Sequence, residues 1–167
     1  MKKNNLETFT DFIGYFQKET DRGAALIGAA MVESKLEYLL KETLVDNFSK
    51  AELFNGPNSP LGTFSSKIKL CHALGFITDK EAREANMIRK VRNEFAHNLE
   101  ELSFSSQPVS NYCLQLQANT PGDIKKEKNY RFLFVNSVIF LTMAIWNRPQ
   151  FVNKNIKLEQ RAWEIEL

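Results

Sequence analysis

A chain of 167 residues, 43% hydrophobic and 25% charged, is long enough for one domain with a sizeable core and too apolar for a disordered one. Its formal charge of +2 argues against the broad basic face that non-specific duplex binding needs. Two cysteines without close spacing, Cys71 and Cys113, argue against a disulfide framework or a Cys-rich zinc site.

Charged Lys2 and Lys3 lead into Leu6–Asp11, so the start of the chain lacks the apolar stretch of a signal peptide. Leu6–Lys18 reads as a first helix, with Phe9, Phe12, Ile13 and Phe16 on one face. Thr20 is the expected N-cap of a second helix, with Asp21 favourable to the dipole in its first turn. That helix should run to about Val45 along Leu26, Ala29, Ala30, Glu33, Leu36, Leu40 and Leu44. Its Gly23-Ala24-Ala25 and Gly28-Ala29-Ala30 clusters would let a neighbouring helix approach closely in the core.

Phe48–Gly62, with Asn55-Gly56-Pro57-Asn58-Ser59-Pro60 at its centre, is expected to be a connection. A third helix should follow from Thr63 to Leu74 and stop at Gly75. Thr78-Asp79-Lys80-Glu81 matches a capping box, which opens a fourth helix reaching His97 or beyond. From Ser103 to Lys128 the helical period is lost. Tyr112, Leu114, Leu116 and Ala118 alternate with polar neighbours and Cys113, the period of a half-buried strand.

Asn129–Asn147 is apolar nearly all round and is expected to be the central buried helix, ended by Pro149. Within it, the run Phe132–Trp146 is broken by Asn136, Ser137 and Thr142 and falls short of the ~18 apolar residues of a membrane span. Within the tail, residues 150–167, the stretch Asn155–Leu167 could add an amphipathic helix carrying Ile156, Leu158, Trp163 and Ile165. The expectation is a single all-α domain, a bundle of five to six helices with an irregular arm at 103–128 between the fourth and fifth. It should be cytoplasmic, without a membrane segment. The abundance of Phe, the Gly/Ala-rich second helix and the tail offer more apolar surface than one bundle needs, which predicts a homodimer.

The most chemically suggestive stretch is Asn86–His97. Ile88, Val91, Phe95 and Leu99 form a row for burial, while Arg89, Asn93 and His97, four apart, form a polar row beside it. Arg92 lies five residues before His97, roughly 140° round the helix. One reading is a site for RNA phosphate. His97 would take a proton from a 2′-hydroxyl, Arg92 would bind the phosphate, and Asn93 would orient the imidazole. Arg89, Lys90 and Arg92 would be the RNA or anion contacts, and no metal or cofactor would be needed. The other reading is structural: His97 caps a helix C-terminus while Arg89 and Arg92 pair with Glu94, Glu100 or Glu101.

The stretch Arg92-Asn93-Glu94-Phe95-Ala96-His97 resembles the Arg-x4-6-His motif of HEPN domains. That resemblance implies an all-helical, often dimeric module that is either a metal-independent RNase or an RNA-binding relative. A longer resemblance covers Pro60–Leu70, then Ala73-Leu74-Gly75-Phe76-Ile77, and on through Arg92–His97. Over these forty or so residues the chain is similar to the mannitol operon repressor (MltR) family. The likeness implies a helical, dimeric, cytoplasmic regulator in transcriptional control of sugar uptake that contacts the HPr carrier of the phosphotransferase system.

Lys67–Arg92 can also be read as helix–turn–helix. Ile88, Val91 and Phe95 look buried there, and Glu81 and Glu84 would face phosphate, so a structural hairpin is the preferred reading. Cys71 and His72 point about 100° apart on a helix and cannot act as a nucleophile–base pair. Glu33 and Glu37 are expected to bridge to the arginines of the fourth helix. The functional expectation is a non-enzymatic regulator acting through protein contacts, with a HEPN-type RNase using Arg92, Asn93 and His97 as the alternative.

Overall fold

A computed structural model describes residues 5–98, 101–118, 128–156 and 158–160. All secondary structure among the described residues is helical: α1 Asn5–Phe16, α2 Asp21–Thr43, α3 Phe48–Phe54, α4 Phe64–Ala73, α5 Asp79–His97, α6 Val109–Leu114, α7 Tyr130–Ile145 and α8 Arg148–Asn155. The longer ones, α1, α2, α4, α5 and α7, are the five that the hydrophobic spacing predicts.

The local signals act where the sequence places them. Thr20 Oγ1 accepts the Gly23 N–H at 3.0 Å and starts α2. Thr63 with Ser66, and Thr78 with Glu81, close reciprocal capping boxes on α4 and α5. Gly75, at φ +72°, stops α4 in a Schellman turn. Its N–H donates to His72 O at 3.0 Å, and the Phe76 N–H donates to Cys71 O at 2.8 Å.

The centre of the bundle is α2, which packs on α1, α4, α5, α7 and α8. Ala24, Ala25, Gly28 and Ala29 are buried along it and let the neighbours close in. A Cβ placed on Gly28 would stand 2.9 Å from the Phe16 ring and 3.1 Å from Val138 Cγ2. The small cluster is therefore a packing device for α1 and α7.

This corrects the expectation for α7. It buries Leu133, Phe134, Val138, Leu141 and Ile145, but Phe132, Phe140 and Met143 face outward. Large side chains all round keep a helix from being approached closely on every side, and the small-residue helix takes the centre instead. The combined stretch Tyr130–Asn155 is long and apolar enough, by length and composition, to cross a membrane; 44% of its most apolar window is buried in the bundle.

Three further expectations change. Pro149 does not end α7; it lies in the first turn of α8, where its missing N–H leaves no bond unmade. The connection after α2 holds α3, capped by Asn47, which tucks Phe54 into the core. The strand at Tyr112–Ala118 is instead the end of α6 and the turn after it. Val109, Cys113 and Leu116 are buried at i, i+4 and i+7, a helical spacing, whereas Leu114 is exposed. The arm is pinned at its start, where Phe104 packs between the rings of Phe95 and Phe134 at 5.2 Å from each. Leu99 and the tail-helix residues Trp163 and Ile165 lie outside the described residues.

Long side chains then tie the helices together. Arg131 on α7 donates to Asp21 Oδ1 and to Glu19 O, each at 2.6 Å, while Asp21 Oδ2 accepts the Phe104 N–H at 3.0 Å. Arg148 on α8 forms a two-pronged pair with Glu81 at 2.9 and 2.6 Å and also reaches Phe76 O.

Candidate functional site at the end of α5

The capping box at Thr78 fixes where α5 begins, and that sets which residues face inward. Ala82, Ala85, Ile88, Val91 and Phe95 are buried, as their spacing requires. Arg89, Lys90, Arg92 and Asn93 are half-buried on the flanks, and His97 is exposed at the last position of the helix.

Each predicted site residue has its own surroundings. Arg89 sends Nε and Nη2 to Asn86 Oδ1 at 3.3 and 3.4 Å, and Asn86 in turn donates to Ala82 O at 2.9 Å. The Lys90 ammonium sits 5.3 Å from the centre of the Tyr112 ring on α6. Arg92 turns toward α2, with Nη2 3.9 Å from Glu33 Oε2. Among the described residues no side-chain hydrogen bond links Arg92 or Asn93 to His97. The helical geometry thus sets Arg92 toward the bundle and leaves His97 at the outer end.

Glu33 and Glu37 do bridge across the bundle, but the principal cation is Lys67 of α4. Its ammonium lies 2.8 Å from Glu33 Oε1 and 2.7 Å from Glu37 Oε2, and Lys41 holds Glu37 at 2.5 Å from the same helix. Burial acts to lower the Lys67 pKa, but hydrogen bonds with Glu33 and Glu37 outweigh it and the net shift is upward. The same balance runs in reverse at Glu37, where burial is outweighed by Lys41 and Lys67 and the carboxyl is held low. The sequence carries a signal for Lys67. It stands within the buried row Phe64, Ile68 and Cys71, where a lysine needs an acidic partner.

A second cation, Arg22, was invisible to local reasoning. From the first turn of α2 it donates Nη1 to Phe95 O and Nη2 to Asn98 O, the latter at 2.9 Å. Both carbonyls lie at the C-terminal end of α5, the end of a helix that draws positive charge. The capping role expected of His97 is therefore filled by an arginine some 70 residues earlier in the chain.

Cys71 is buried, with Sγ 3.7 Å from Leu36 O, and burial pushes its thiol up to about 12. Cys113 is likewise held at about 12. Both stay thiols at neutral pH. His72 points the other way, with Nε2 2.7 Å from Asp79 Oδ1 across the α4–α5 turn. No group of three or more metal-ligating side chains occurs among the described residues. α4 and α5 form a helical hairpin, in which α5 packs on α2, α4, α6 and α7.

No protein-family model matches the chain, and no curated protein sequence matches it. The fold is similar to that of a chain in the X-ray structure of the MtlR–HPr complex from Escherichia coli. The two agree with a TM-score of 0.60 at 18% identity, over 81% of this chain and 96% of that one. The likeness establishes the fold, and it extends well beyond the stretch Pro60–His97 that carries the sequence resemblance.

Proposed function

We propose that this chain is a non-enzymatic regulator of the mannitol-operon-repressor kind, acting in transcriptional control of sugar uptake through contacts with other proteins. The observation that supports this most is the agreement of fold over nearly the whole length of a chain from the MtlR–HPr complex. The polar residues of α5 fit the same reading, because Arg89 is engaged with Asn86, Lys90 with Tyr112, and Arg92 faces Glu33. HPr is the proposed partner.

Two outward apolar faces are available for partners. One lies on α2 with Leu26, Ile27 and Tyr38, and the other on α7 with Phe132, Phe140 and Met143. The α2 face, with Ala30 and Ser34 between its larger residues, suits a second copy of the chain. The α7 face suits HPr. The protein works in the cytoplasm on this reading.

The test is titration of the purified protein with HPr, with mass measured by light scattering. A species of twice 19.2 kDa for the free protein, and a saturable complex with HPr that Met143→Glu weakens, are the expected results. Absence of a complex at protein concentrations of about 100 μM, where even weak regulatory contacts register, overturns the HPr contact. Cleavage of single-stranded RNA in EDTA that disappears in His97→Ala overturns the non-enzymatic reading.

A further inference from the structure

Between the first turns of α5 and the outer side of α7 lies a cleft of about 390 Å³. Its walls are Phe140, Leu141 and Ala144 of α7, with Ala118 beyond the end of α6. Five polar side chains line it as well, Thr78, Lys80, Glu81, Glu84 and Ser137, and they are not equivalent.

Glu81 is already committed, since Arg148 takes both of its oxygens. Glu84 is only 6% exposed, and its carboxylate accepts the N–H groups of Gln117 (3.2 and 2.9 Å) and Ala118 (3.1 Å). Among the described residues no cation pairs with it, although Lys80 stands one turn away on the same helix. Ser137 is 1% exposed, and among the described residues its Oγ has no hydrogen-bond partner. A serine inside a helix ordinarily donates to the carbonyl four residues back, and this one does not. A buried carboxylate that no described cation pairs, and a buried hydroxyl without a partner among the described residues, each carry a desolvation cost. Here both border one cleft with apolar walls.

We propose that this cleft binds a small ligand with a protonated primary amine on a compact apolar body. The ammonium has three donors. It supplies the positive charge that Glu84 lacks and donates a hydrogen bond to Ser137 Oγ, while the apolar body lies against Phe140 and Leu141. Such an amine could be a simple alkylamine or the amino group of an apolar amino acid. Lys80 at the rim separates the two, because it repels a lone cation and attracts the carboxylate of a zwitterion.

The probes are 2-phenylethylamine, its neutral counterpart 2-phenylethanol, and L-phenylalanine, titrated into the full chain and followed by NMR chemical shifts. The amine is expected to bind saturably, and the alcohol at least about ten-fold more weakly, the difference made by a charge-assisted hydrogen bond. Ser137→Ala should weaken the amine about five-fold, the size of one neutral hydrogen bond. Glu84→Gln should weaken it by about ten-fold or more. Ala144→Trp, at an exposed position on the wall, should abolish binding while circular dichroism and melting stay unchanged. Phenylalanine binding tighter than the amine, with the advantage lost in Lys80→Ala, identifies an amino acid as the source; equal or weaker binding identifies a simple amine. The proposal is overturned by no saturation up to about 10 mM, by equal binding of amine and alcohol, or by binding that survives Ala144→Trp.

Discussion

Arg22, in the first turn of α2, donates its Nη2 to the carbonyl oxygen of Asn98, just past the last turn of α5, at 2.9 Å. The bond joins the start of one helix to the end of another and places a fixed positive charge at the negative end of the α5 dipole. His97 is thereby released from any capping duty. Replacing Arg22 by Met keeps most of the side chain's apolar bulk and removes the donors together with the charge. The expected loss is about 1–2 kcal/mol, with faster amide exchange confined to the last turn of α5. His97→Ala should leave stability unchanged within about 0.5 kcal/mol, as expected of an exposed position. Chemical denaturation of the two variants checks both.

Lys67 is the cation on which Glu33 and Glu37 converge. Lys67→Met leaves two carboxylates facing each other with Arg92 and Lys41 at the margins. The expected cost is roughly 2–3 kcal/mol, below that of a fully buried pair because water still reaches both acids. Lys67→Met combined with Glu33→Gln and Glu37→Gln should recover much of it, a coupling that denaturant titration of the series measures.

Stability should depend on pH in two windows of opposite sign. Glu37 and Glu81 are held below their ordinary value of 4.5, so their contribution is present above that pH and is lost as the pH falls below it. Lys67 is held above its ordinary value of 10.5, so its contribution is present below that pH and is lost as the pH rises beyond it. Urea midpoints should therefore be flat from about pH 5 to 10 as far as these groups decide, and fall on either side.

Two glycines within helices should respond oppositely to alanine. Gly14 in α1 has open space where its Cβ would go. Gly14→Ala is expected to add about 0.5–1 kcal/mol by reducing the freedom of the unfolded chain. Gly28→Ala forces the Phe16 ring and Val138 apart, and the overpacking should outweigh the propensity gain by about 1 kcal/mol or more.

Thr142 is fully buried on α7, and among the described residues its Oγ1 has no hydrogen-bond partner. Thr142→Val exchanges that hydroxyl for a methyl of similar shape. A gain of about 1 kcal/mol is expected, a rise of roughly 2–4 °C in melting temperature for a domain of this size.

Residues close together in the chain set the five longer helices, the caps at Thr20 and Thr78, the stop at Gly75 and the buried row of α5. Those are set by interactions within three or four residues: the Thr78–Glu81 box, the turn at Gly75, the row Ile88–Val91–Phe95. The small residues of α2 also marked where another helix is able to come close. The sequence could not say which helix takes the centre or which partner each charge finds, because those depend on side chains far apart in the chain. Arg22 meets Asn98 across 76 residues, Lys67 meets Glu33 across 34, and Arg131 meets Asp21 across 110. Alternation misled at Tyr112–Ala118, where the burial of Val109, Cys113 and Leu116 follows a helical period that only the packing of α6 on α5 and α7 reveals. The stretch ending in His97 follows the same division. Local spacing decided which residues line each face of α5, and the neighbouring helices decided that Arg92 turns inward to Glu33 while His97 stays at the surface.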